Sequence, residues 1–137
     1  MFQIEHEGKV LAIVIPANYR AEGIQFFTPD NYSQQLAYIK HPAGKEIVPH
    51  LHNLVRREIT QTQEVLFIRR GKVRVDFYNN QKEYLESTVL TSGDIILLAS
   101  GGHGFEMLEE TEMIEVKQGP YLGDQDKVRF NGKKTKH

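Results

Sequence analysis

Apolar and polar residues alternate along much of this chain, whereas the three-and-four spacing of an amphipathic helix is hard to find. Val73, Val75 and Phe77 alternate with Lys72, Arg74, Asp76 and Tyr78, and Ile114 and Val116 alternate with Met113, Glu115 and Lys117. Successive side chains of a strand point to opposite faces, so each stretch reads as a buried valine- or isoleucine-bearing face backed by a wetter one. Residues 10–15 form an unbroken apolar run closed by Pro16, the length of a buried strand. The same reading predicts strands over 2–5, 10–15, 23–27, 36–40, 46–52, 64–70, 72–78, 84–91, 94–98, 104–108 and 111–117. Turn residues stand between them, among them Glu7-Gly8, Thr28-Pro29-Asp30-Asn31, Pro42-Ala43-Gly44, Asn79-Asn80, Ser92-Gly93 and Gly101-Gly102. Many short strands at close spacing predict an all-β sandwich or barrel.

Length and charge narrow the functional classes. The 137 residues fit one domain, expected over 1–130, followed by a polar, basic tail over 131–137. Seventeen Lys and Arg oppose eighteen Asp and Glu, so no broad basic surface is present to drive nucleic-acid binding through counterion release. With no cysteine, the chain has neither disulfides nor thiolate metal ligands nor a thiol nucleophile, a composition compatible with the cytoplasm. No apolar run approaches the length that spans a bilayer, and the first eight residues lack a cationic signal region, so neither membrane insertion nor secretion is expected.

Candidate chemistry concentrates in Gly44-Lys-Glu-Ile-Val-Pro-His50-Leu-His52. Two residues apart in a strand, His50 and His52 share a face, and Val48 on that face suggests that it looks inward. Paired imidazoles in an apolar setting need an acceptor for their lone pairs, which a divalent metal provides. Glu64, at the edge of Val65-Leu66-Phe67-Ile68, and His103, in a glycine-rich turn, are the further candidate ligands. Three imidazoles and a carboxylate suit Zn, Fe, Mn, Ni or Co and leave positions open for substrate. Glu58 is a rival carboxylate. Arg56 and Arg57 read first as solvated loop charges and second as a bidentate grip for a phosphate or pyrophosphate group. Tyr38, Tyr78 and Tyr84 read as strand tyrosines covering a sheet, Glu106 as outward-facing, and His6, His41 and His137 as solvent-facing.

These residues resemble the motifs of the cupin superfamily. Gly44, five residues, then His50-x-His52, with Glu64, six residues, then Gly71, is similar to its first motif; Gly93-Asp94 followed by an apolar strand and His103 is similar to its second. The resemblance covers about residues 36–118. It departs from the family pattern in an eleven-residue spacer between His52 and Glu64, in Ala99 at the proline position, and in a shortened turn before His103. Thr62-Gln63-Glu64-Val65-Leu66-Phe67-Ile68 and the ending Ile114 to Tyr121 look like the WbuC-like small cupins of bacterial surface-polysaccharide biosynthesis.

The resemblance implies an all-β, single-domain cupin-type double-stranded β-helix, an RmlC-like jelly-roll barrel, with one divalent metal held by His50, His52, Glu64 and His103. It further implies a small carbohydrate-derived or nucleotide-sugar substrate, isomerase or epimerase chemistry, and a homodimer, with residues 2–27 extending a sheet or exchanging with the partner. An Fe(II)-dependent dioxygenase and a non-catalytic sugar-binding cupin are the alternatives. No organic cofactor is expected and no catalytic base is singled out.

Overall fold

The computed structural model describes residues 1–132, and these residues form antiparallel sheets with one short 3-10 turn, Gly123–Asp126. The strands are β1 (Phe2–His6), β2 (Lys9–Ile15), β3 (Gly23–Phe26), β4 (Ala37–Lys40), β5 (Glu64–Arg70), β6 (Lys72–Tyr78), β7 (Tyr84–Thr91), β8 (Ile95–Leu98), β9 (Gly102–Met107) and β10 (Glu112–Lys117). A five-stranded sheet runs β1-β2-β8-β5-β10, a three-stranded sheet runs β7-β6-β9, and β3 and β4 pair as a separate ribbon. The N-terminal strands therefore extend the larger sheet within their own chain. Among the described residues no helix is long and apolar enough to cross a membrane.

The five-stranded sheet is the middle layer. One face meets the three-stranded sheet through Ala12, Val14, Leu66, Ile68, Ile96 and Leu98 against Val73, Val75, Phe77 and Leu90. Its other face carries Ile13, Ile15, Leu97 and Ala99 under a cover of Tyr19, Phe27, Tyr32, Leu36 and Tyr38. Tyr19 stacks edge-on against Phe27 and Tyr38 with ring centroids 5.3 and 5.1 Å apart. Cover on both faces explains why residues 10–15 lack any polar alternation.

Two corners carry the chain between the large sheets. Gly71, at φ 100°, is the single residue between β5 and β6, and a Cβ there would lie 2.3 Å from the Glu110 carbonyl oxygen. Beside it the turn from β9 to β10 is stitched on, with Leu108 N–H donating to the Lys72 carbonyl at 2.8 Å and the Thr111 hydroxyl to the same oxygen at 3.1 Å. Asp94 ties the turn before β8 to the loop after β2, accepting from the Ala17 and Thr91 amides at 2.9 and 2.8 Å. On the outer face of the three-stranded sheet Arg74 forks onto Asp76 at 2.8 and 3.1 Å and reaches Glu106 at 3.0 Å, so Glu106 does point outward.

Three expectations are corrected. Residues 46–52 form no strand: residues 42–61 leave the body as an exposed arm. In β10 the faces are reversed, because Met113 and Glu115 sit opposite Ile68 and Leu66 on the core side, leaving Ile114 and Val116 outward and exposed. Among the described residues the barrel is not closed: β9 and β10 are both edge strands, and the side between them stands open.

Candidate functional site

The open side between β9 and β10 is where the chemistry gathers. Glu64 opens β5 and shares its inward face with Leu66 and Ile68, while Lys117 lies opposite it in β10. His103 is the second residue of β9, opposite Phe77 of the core, and shares its face with Phe105 and Met107. From two different sheets these side chains meet, His103 Nε2 lying 3.1 Å from Glu64 Oε2. A carboxylate only accepts, so Nε2–H donates and, in the neutral ring, Nδ1 keeps its lone pair. This hydrogen bond holds the Glu64 carboxyl below its ordinary pKa; burial opposes the shift, and the charges of His103 and Lys117 add to it. Lys117 in turn is held above its ordinary value chiefly by the charge of Glu115, 3.4 Å away.

The other two imidazoles stand together on the arm. His50 and His52 have ring centroids 5.4 Å apart, and His50 Nδ1–H donates to the Val48 carbonyl at 2.8 Å. That bond fixes the tautomer that leaves Nε2 free to ligate. Val48 itself is exposed, contrary to the inward face expected of it. Within one chain the four residues thus form two pairs, and among the described residues no three His, Asp or Glu side chains come close enough to hold a metal. Glu58, Arg56 and Arg57 are exposed on the arm, so Glu64 is the carboxylate that meets an imidazole. His6 is exposed and His41 half-buried; His137 lies outside the described residues.

The arm is exposed along its length, and its last residues, 59–61, border a cleft against the body. Among the described residues its one backbone hydrogen bond before the foot is local, Lys45 N–H to the Pro42 carbonyl at 3.2 Å. At the foot the chain is clamped: Gln63 is buried, accepts from Ser33 and the Gln34 amide, and donates to the Ala99 carbonyl. Beside the foot a cleft of about 420 Å³ is lined by Thr62, Lys117, Tyr121, Asp124, Asp126 and Arg129 among others. Phe130, beyond this cleft, packs edge-on against Tyr78 at 5.1 Å and backs the glycine that opens β9.

Lys117 and Glu115 belong to this site and were not singled out from the sequence. Their signal is register: pairing β10 against β5 puts Lys117 across from Glu64, a neighbour that spacing along the chain does not reveal. Compared with known proteins, the chain matches no family model, no curated protein and no solved structure.

Proposed function

We propose that this chain is a metal-binding protein of cupin type that acts on a small carbohydrate-derived molecule, with Glu64 and His103 as the standing half of the metal site and His50 and His52 as the mobile half. The observation that carries this reading is the 3.1 Å separation of His103 Nε2 and Glu64 Oε2 on facing sheets. Two ligands bonded to one ion at about 2.0–2.2 Å and at near-right angles stand about 3 Å apart. Replacing the shared proton by a divalent ion therefore asks for little movement of either side chain. The donor set, three imidazoles and a carboxylate, suits a borderline ion such as Zn, Fe, Mn, Ni or Co.

Bound there, the ion would supply Lewis acidity to a carbonyl or hydroxyl oxygen, the requirement for moving a proton on the neighbouring carbon in isomerisation or epimerisation. The residues around it supply the rest. Lys117, beside Glu64, offers a fixed positive charge to an oxyanion. The adjoining cleft presents hydroxyl, carboxylate and guanidinium groups suited to sugar hydroxyls, in a volume typical of small-ligand sites. Phe105 and Met107 give the open side an apolar wall that excludes water once it is covered.

Elemental analysis of protein purified without chelator or affinity metal tests the reading. Stoichiometric metal in the native protein, lost in Glu64→Gln and His103→Ala, is the expected result. Protein without metal, or unchanged metal in both variants, overturns it. One observation favours a second reading: a histidine oriented by a half-buried carboxylate is also the arrangement of a metal-free general base. Turnover or sugar binding that survives exhaustive chelation and disappears in His103→Ala would select that reading.

A further inference from the structure

The surface of this chain is too large for its mass. It exposes 9888 Å², whereas a compact monomer of 15.8 kDa exposes about 7,300 Å². The excess is about 2,600 Å², and about 1,800 Å² remains even if residues 133–137 are assigned the full accessible surface of an unfolded chain. Two copies that each hid this excess would bury about 3,600–5,200 Å², the range of obligate homodimers rather than of transient contacts.

Much of the excess is apolar and sits in two complementary places. On the arm Ile47, Val48, Leu51, Leu54, Val55 and Ile59 are between 41% and 103% exposed. Even-numbered and odd-numbered positions are both apolar here, so as a strand the segment would require cover on both faces. On the body the edge strand β9 has unpaired backbone groups and inward-facing Phe105 and Met107, 37% and 47% exposed. In the other sheet Phe67, Ile114 and Val116 are also exposed, on its outer face. A strand-capable arm without a sheet, next to a sheet edge without a strand, describes two halves of one interface.

We infer that the arm of each copy adds to the open β9 edge of a second copy, so that His50 and His52 of one chain complete the Glu64–His103 pair of the other. Reciprocal exchange buries the same arm and edge on both copies, giving a closed twofold dimer with no free edge left at this side. The clamp at Gln63 fixes where the arm departs, and among the described residues no backbone hydrogen bond ties the arm to its own body, which leaves its backbone groups for the partner. With a formal charge of -1 per chain, little net repulsion opposes pairing. That the exchange completes a metal site rests on the function proposed above; the exchange itself rests on area, edge and arm.

The native chain has no cysteine, which permits a direct test. The double variant Leu51→Cys, Phe105→Cys, treated with a short bismaleimide at micromolar concentration, should give mostly covalent dimers on a denaturing gel. Light scattering of the native chain should return twice the chain mass, and Leu51→Asp with Leu54→Asp should weaken association at least tenfold. Intrachain links, absence of any link, or a native monomer overturns the exchange. Cobalt(II) binding, read by visible absorbance, then tests the composite site in mixtures. His50→Ala/His52→Ala and Glu64→Gln/His103→Ala chains should each bind little ion alone, and co-refolded they should recover about one site per mixed dimer. Metal bound by the native chain but never recovered in the mixture overturns the exchange and leaves the metal reading standing. Covalent dimers without metal binding in any form overturn the metal reading and leave the exchange standing.

Discussion

Asp76 is the most buried carboxylate in the described structure, and Arg74 satisfies it with two parallel hydrogen bonds while Ser87 supplies a third. Such a fork is stronger than a surface ion pair because the carboxylate has lost its water. Asp76→Ala should cost about 2 kcal/mol in urea unfolding, since Arg74 retains Glu106 and partial access to solvent. At Glu64 the sign of the pH effect follows from the direction of its shift. Its folded pKa lies below the ordinary value of 4.5, so its contribution is complete above that value and is lost as pH falls through the lower, folded one. In chelator-treated protein, Glu64→Gln should therefore flatten the loss of stability on acidification below about pH 4.5, measured by thermal melts across pH.

At the scale of elements, β5, β6 and β7 begin and end where alternation and turn residues place them. Their patterns are unambiguous because one face of each packs in the core between the sheets. Residues 46–52 show what alternation does not contain. The segment is strand-capable, but a strand also needs a hydrogen-bonding neighbour, and among the described residues no strand pairs with it. The reversal of β10 has the same origin: Ile114 and Val116 look like a core face until register assigns the core side to Met113 and Glu115. Of the candidate ligands, Glu64 and His103 could be named from motif spacing, while their contact depends on how two sheets face each other. Gly71 is the opposite case, an element boundary decided by a single residue. A side chain there would adopt a disfavoured left-handed conformation and collide with backbone that cannot yield, so Gly71→Ala should cost about 2–4 kcal/mol, read as a lowered Tm.

For the whole molecule, the balance between covered and uncovered surface governs behaviour. Arg56 and Arg57 sit on the exposed arm, where a protease meets backbone outside regular secondary structure without first unfolding either core. Trypsin should cut there first. If arms are exchanged, the rate of that cut should fall as protein concentration rises through the association range, whereas cleavage at an arm that stays free would not depend on concentration. Mass spectrometry of early fragments across a dilution series distinguishes the two. Association should also raise Tm with concentration, because folding and pairing then share one equilibrium.

The clamp around Gln63 has a different bearing on how this chain can change. It separates the packed sheets from a connecting segment whose length neither core senses, since Ser33, Gln34 and Ala99 hold the near end in place whatever precedes it. Entropy penalises a longer connection only logarithmically. Insertions or deletions between Arg57 and Gln61 should thus leave the packed layers intact while altering how far the histidine pair can reach. The reach of that pair could be retuned by adjusting a tether, without any substitution in the packed framework.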